Sequence, residues 1–364
     1  MRTEPKPTVT SANVRQQPSV RATQLDWLIT LASVWIVSGL FIDAHQHLFQ
    51  TVESFINPWH MTMYSGAVFA AGVLAVRIVR HRRPGASIWK ALPTGYVQSA
   101  IGVLGLLAGG ATDAVWHSIF GFEHQLDLLL SPPHLFLLTG LFFLISGPVR
   151  SGIARGRPES LVQQLPALIC LALSFEIAQF VTQYGFYPEA LGRDRPLSQE
   201  LFRDHQFVLT VILYYRQALE IAIVIWQSVL LAAAILYFTA VQRPFFGAIA
   251  ILSAGVKLWI GSELATDASE VIIVVVASVA AGFAGDYLVA RLRPSLARPN
   301  AFRLLGFVVP SAYWAAYFIL AVTFFGGTWW DASFVFGAIA EGGLVGLCVS
   351  QLFLAGSRRR AVSE

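Results

Sequence analysis

Long apolar stretches, separated by short polar ones, run from one end of the chain to the other. Each is long enough to cross a hydrocarbon core of about 30 Å as a helix. The pattern predicts helices over 27–47, 59–79, 96–118, 132–150, 161–183, 217–240, 244–262, 269–290, 303–325 and 333–355. The expected fold is therefore all-α: a polytopic integral membrane protein of about ten transmembrane helices.

Charge placement tests that count independently. Arg15 and Arg21 precede the first span, and Arg77, Arg80, Arg82, Arg83 and Lys90 attend the end of the second. Arg150, Arg155 and Arg157 follow the fourth, Arg243 the sixth, Arg291, Arg293, Arg298 and Arg303 the eighth, and Arg358, Arg359 and Arg360 the tenth. The alternate loops 48–58, 119–131, 263–268 and 326–332 carry no Lys or Arg. The positive-inside rule then puts both termini in the cytoplasm, in a membrane expected to be the bacterial inner membrane. Segment 184–216 breaks the pattern, because an outer loop should not hold Arg193, Arg195, Arg203 and Arg216. It reads as a long solvated loop or a small outer cap.

Composition narrows the class further. The chain is 55% hydrophobic and 13% charged, with a mean hydropathy of +0.61, which excludes a soluble globular domain. Cys170 and Cys348 are the two cysteines. Both lie in apolar runs and read as packing residues. Residues 1–24 are polar and read as a disordered cytoplasmic tail rather than a cleavable leader, and 357–364 as a basic tail. Between them, 25–150 would form two tandem helix hairpins and 151–356 a six-helix membrane region. No P-loop, dinucleotide fingerprint or Ser/His/Asp arrangement occurs. The basic residues follow topology and give no support to a nucleic-acid partner, so the expected partner is the lipid bilayer.

The chemistry concentrates in the hairpins. Asp43, His47 and His60 are followed by Ser65 and Gly66; Asp113, His117 and His134 are followed by Thr139 and Gly140. In each copy an Asp and a His stand four apart, on one helix face, and a second His opens the next span after a proline. Asp and neutral His are ordinary transition-metal ligands, and three per copy leave positions open for water or substrate. The predicted topology puts all six at similar depth near the outer interface. The same pattern also fits Asp–His braces closing helix ends, haem ligation, or a proton relay. The small residues Ser65, Gly66, Thr139 and Gly140 read as helix contacts. His45, Glu123, His124 and Asp127 are extra polar groups near the copies and read equally as solvated.

Asp113, Trp116 and His117, followed by Ser131, Pro132, Pro133 and His134, resemble the metal-binding segment of the C subunit of the membrane-bound methane and ammonia monooxygenases. The first copy has that family's spacings of four and thirteen; the second has its Trp but is four residues longer. The resemblance implies copper, or zinc in its place, at Asp113, His117 and His134, and by repetition at Asp43, His47 and His60. It is confined to these short segments. A membrane oxidoreductase or its metal-binding subunit would follow, with other membrane subunits or an electron donor as partners.

Charged residues inside spans are costly and mark function by default. Glu176, Gln179, Gln217, Glu220, Lys257, Glu263, Glu270 and Glu341 would share the depth of the triads and a single outward polar cavity, with Asp286 near the inner side. This gives the alternative of an ion- or proton-coupled transporter using Glu176, Glu220 and Glu341. A third class is a structural or assembly protein. Trp59, Trp116, Trp259, Trp329 and Trp330 read as an interfacial aromatic belt.

Overall fold

The computed structural model describes residues 20–49, 56–121, 130–156, 160–182, 205–259 and 268–363. They form helices α1 (Val20–Phe49), α2 (Pro58–His81), α3 (Val97–Phe120), α4 (Pro132–Arg155), α5 (Leu161–Thr182), α6 (Gln206–Val241), α7 (Ala248–Gly255), α8 (Ala268–Leu292), α9 (Pro299–Phe325) and α10 (Ala332–Ser363), with a 3-10 turn at Ile88–Ala91. Among the described residues, nine helices are long and apolar enough to cross a membrane. The protein is an all-α polytopic membrane protein. The 1–19 part of the tail, most of segment 184–216, and Glu123, His124, Asp127 and Glu263 lie outside the described residues, as does the His47 side chain.

Local chemistry sets the helix ends. Proline opens α2, α4 and α9, where its missing N–H would have no partner in any case. Gly121 (φ +79°), Gly156 (φ +81°) and Gly326 (φ +75°) close α3, α4 and α9 with a backbone conformation that disfavours a side chain.

Two helices depart from the sequence pattern. The predicted loop 184–216 gives way to α6 from Gln206 onward. Arg216, one of the charges that broke the outer-loop pattern, sits one turn before Glu220 and pairs with it at 3.0 Å. The predicted span 244–262 holds a helix of only 8 residues, Ala248–Gly255, interrupted by a turn at Val256 and Lys257. Backbone freed inside a membrane must find partners within the protein. Here α5 supplies them: the Gln179 amide donates to the Val256 carbonyl, and the Trp259 N–H donates to Glu176 Oε1 at 2.8 Å. The other end of α7 is held from α8, where the Asp286 carboxylate accepts from Ile249 N (3.0 Å) and Ala250 N (3.1 Å).

The first four helices pack as adjacent pairs, α1 with α2 and α3 with α4, and α1 also rests on α4 and α5. Helices α6 to α10 form the second group, which α5 touches through α6 and α7. Its centre is aromatic: Tyr313, Trp314, Tyr317 and Phe318 on α9 are buried and stack edge to face, and the Trp314 indole donates to Ser228 Oγ at 2.9 Å. At the basic end of the first group, fully buried Asp26 forms an ion pair with Arg155 and accepts from Tyr96 Oη at 2.5 Å. That one carboxylate ties α1 to α4 and to the turn before α3.

Close approach of α3 and α4 depends on glycine. A Cβ on Gly140 would lie 2.9 Å from the Gly102 carbonyl oxygen and 3.0 Å from Leu106 N, which are backbone atoms that cannot yield. The small-residue reading of Gly140 is thus met, and Gly66 likewise packs against Ile36. Gly140→Val should push the two helices apart. Overpacking of this kind costs about 1–3 kcal/mol, to be seen as a lower unfolding midpoint in detergent than for Gly72→Val, where a Cβ meets nothing within 4 Å.

Candidate metal centre

Asp43 lies on the last turns of α1, and His60 on the first turn of α2. Asp113 and His117 lie on the last turns of α3, and His134 on the first turn of α4. Alternation of the helices places all five at the end of the bundle opposite the basic residues. The Asp113 carboxylate is the focus. Its Oδ1 is 3.1 Å from His134 Nε2 and 3.4 Å from His117 Nε2. Asp113 is 2% exposed and its Oδ1 has no hydrogen bond, so neither imidazole contact has hydrogen-bond geometry. One donor atom from each of Asp113, His117 and His134 falls within 4.8 Å of the other two. This is the only such trio of His, Cys, Asp or Glu among the described residues.

The tautomer of His117 follows from its other nitrogen. Nδ1 lies 3.1 Å from the carbonyl oxygen of Gly121, which can only accept, so Nδ1 carries the proton. Nε2 then presents a lone pair toward the Asp113 carboxylate. Two electron-rich atoms held together in a buried place call for a cation between them. A ring N–H donated to a backbone carbonyl is also how metal-binding histidines are usually oriented.

In the first copy the ring whose tautomer can be assigned is the second histidine, His60, and its wiring is the reverse of that of His117. Asn57 Oδ1 caps α2 by accepting from Trp59 N (2.9 Å) and His60 N (2.8 Å), which turns its amide nitrogen toward His60 Nδ1 at 3.2 Å. A donor at that position makes Nδ1 the acceptor, so in neutral His60 the proton sits on Nε2. That N–H points to Asp43 Oδ2, 3.2 Å away. Binding a metal through Nε2 would leave two donors facing each other at Asn57.

No protein-family model, curated protein or solved structure matches the chain. The donor set itself therefore carries the functional reading.

Both copies open on one small cavity of about 50 Å³, lined by Asp43, His60, Asp113 and His134 together with apolar residues of α1 to α5, Phe180 among them. A water's share of liquid volume is about 30 Å³, so the space suits an ion or a small molecule. Phe180 stacks on Phe41 at 5.3 Å and closes the α5 side. Tyr64, on α2, fits against Gly110 of α3: a Cβ there would meet the ring at 2.7 Å and the phenol oxygen at 3.1 Å. Trp116, which carries part of the resemblance, stacks on Phe120 at 4.4 Å and does not line the cavity.

The acids of the later helices do not join this cavity. In place of the expected single polar chamber, Glu176 and Glu220 form separate braces, each taken up by nearby donors. Glu176 holds the α7 interruption. Glu220 accepts from Arg216 and, at 2.6 Å, from the Trp330 indole. Trp330 is 5% exposed, a core residue and not part of a belt. Lys257 Nζ lies 3.4 Å from Gln179 Oε1 and 5.2 Å from the centre of the Tyr313 ring.

Sequence reasoning missed Asn57, Tyr64 and Phe180. Asn before Pro at a helix start is a readable cap signal, whereas nothing in the sequence marks Tyr64 or Phe180. Nitrogen-15 NMR of the histidine rings in the metal-free protein should find neutral His117 protonated on Nδ1 and neutral His60 on Nε2. The same tautomer in both would overturn the wiring.

Proposed function

We propose that the protein is a membrane metalloprotein holding one transition-metal ion per chain at Asp113, His117 and His134. The observation that carries this reading is the buried Asp113 Oδ1, which two imidazole nitrogens approach without a hydrogen bond. Two nitrogens and a carboxylate suit copper or zinc, and at such a site Cu(II) binds most tightly of the divalent first-row ions. Copper is also what the resemblance to the monooxygenase C subunits suggests. With three protein ligands, the ion would keep an open position for a small molecule as a Lewis-acid or redox centre. The chain's own part is to orient His117 through Gly121, to hold the Asp113 charge away from water, and to restrict access through Phe180 and the leucines of α3 and α4. The arginine distribution supports placing this centre on the extracytoplasmic side.

Metal analysis of the purified, chelator-stripped and copper-reloaded protein should give one ion per chain. Asp113→Ala or His134→Ala should abolish stoichiometric loading, while His60→Ala should retain it. Asn57→Asp keeps the helix cap and offers His60 Nδ1 an acceptor, so it should raise loading toward two. Equal loss in the His60→Ala and His134→Ala variants would reject the one-ion assignment. Absence of any saturable loading in the unmodified protein would reject the metal centre.

The interrupted α7 favours a second reading, because broken helices with buried polar residues are how many transporters build their ion sites. On that reading Glu176 would couple ion movement. Proteoliposomes under an imposed proton gradient would then show uptake of protons that Glu176→Gln removes. No difference from protein-free vesicles would dismiss it.

A further inference from the structure

A larger cavity, of about 550 Å³, lies at the opposite, basic end of the bundle, between the end of α6 and the turn joining α8 to α9. Its polar lining includes Gln242, Arg243, Asp286, Arg293, Ser295 and Arg298. Three guanidinium groups face one carboxylate, and that carboxylate is already occupied by the Ile249 and Ala250 N–H groups of α7. Neither the Arg243 nor the Arg293 guanidinium makes an ion pair or hydrogen bond among the described residues. Arg298 gives one N–H to the Leu292 carbonyl at 3.1 Å and keeps its other donors. The cavity therefore has a surplus of positive charge with no internal counterion.

Two further features point to a ligand. Gln242 is 6% exposed, and its Oε1 has no hydrogen-bond partner although it lines this space. Buried side-chain amides normally find partners, and because Oε1 only accepts, it calls for a hydroxyl on the occupant, which a hydrogen phosphate or a glycerol head group carries. Arg293 adopts φ 49°, the one non-glycine residue with positive φ among those described. It stands just after the last residue of α8, where glycine ordinarily ends a helix without strain. A side chain kept in that conformation has a use for its head group. Topology alone accounts for arginines at this end, and Arg80, Arg82 and Arg83 are exposed there as that rule expects. It does not account for three of them ringing one cavity.

We propose that this cavity binds a phosphate-bearing anion, its oxygens shared by Arg243, Arg293 and Arg298. Guanidinium forks match phosphate geometry. Basic pockets between helices at the cytoplasmic face bind phospholipid head groups, and the volume lies within the range of small-ligand sites. The same chemistry would serve a soluble phosphate compound, so the source is part of the test.

The full chain, delipidated and reconstituted in phosphatidylcholine nanodiscs, would be titrated in one arm with phosphatidylglycerol and read by native mass spectrometry. In a second arm it would be titrated with inorganic phosphate and read by phosphorus NMR. Saturable binding of phosphatidylglycerol alone assigns the site to a lipid head group, and saturable binding of inorganic phosphate assigns it to a soluble anion. In either case Arg243→Gln and Arg293→Gln should each weaken binding roughly tenfold, as loss of a charged hydrogen bond does, with Arg80→Gln unchanged. Arg293→Gly relieves the strained backbone, so it should fold at least as well and still bind roughly tenfold more weakly. Binding by Arg293→Gly and Arg243→Gln equal to that of the unmodified chain, or saturation by neither probe, would overturn the proposal.

Discussion

In hydrocarbon a polar group has no water to fall back on, and each buried carboxylate of this protein must be settled by another part of the chain. Asp26 has a guanidinium and a phenol. Asp286 has two backbone N–H groups at a helix start, and Glu176 has one at a helix break. Glu220 has an arginine and an indole. In each of these a permanent cation or a donor with a fixed proton meets the carboxylate, and the result is a brace between helices. Asp113 is different. Its Oδ1 meets two imidazole nitrogens, one of which has its proton committed elsewhere, and neither contact is a hydrogen bond. That contrast within one molecule is what the proposed role of Asp113 as a ligand rests on.

The contrast depends on backbone spacing. Two histidines reach one carboxylate because α3 and α4 approach until Gly102 and Gly140 touch backbone to backbone. Gly110, one turn before Asp113, lets Tyr64 of α2 in against the same helix. The outer ends of α1 to α4 thereby converge, and Asp43, His60, Asp113 and His134 come to share a space too small for anything but an ion or a small molecule. Such packing needs no hydrophobic drive between helices, since lipid tails are as apolar as leucine; contact and fit decide it.

Most of the fold was legible because membrane burial writes itself as long apolar runs, and among the described residues nine helices are long and apolar enough to span. Where the sequence misled, a local pairing was responsible. Arg216 looked like a loop charge until Glu220 stood one turn away to receive it. Residues 244–262 read as an unbroken span because apolarity says nothing about the turn at Val256 and Lys257, which exists only because α5 brings Glu176 and Gln179 to its freed backbone. Trp330 had the right position for an interfacial belt, and its indole proton drew it inward to Glu220 instead. The convergence at Asp113 was legible from spacing, whereas the closure of the cavity by Phe180 required knowing that α5 lies against α1.

The paired motifs show how far residue identity can carry a functional reading. Both copies place an Asp near a second His, at 3.2 Å in one and 3.1 Å in the other, and on residue types alone they are equivalent. What separates them lies outside the motif. A carbonyl oxygen beyond the end of α3 accepts from His117, while an asparagine amide before the start of α2 donates to His60. A nitrogen that must give its proton away leaves its ring partner free to bind a cation, and a nitrogen that must receive one makes its ring partner a donor. His117 is the counterpart of His47, whose side chain lies outside the described residues, so the two assigned tautomers belong to different positions of the motif. In the second copy Ser131 stands in the capping position and makes no side-chain cap. The residue at the helix cap is thus one place where the two copies differ in what they can offer the far nitrogen of the second histidine, and the proposed one-ion assignment rests in part on that difference.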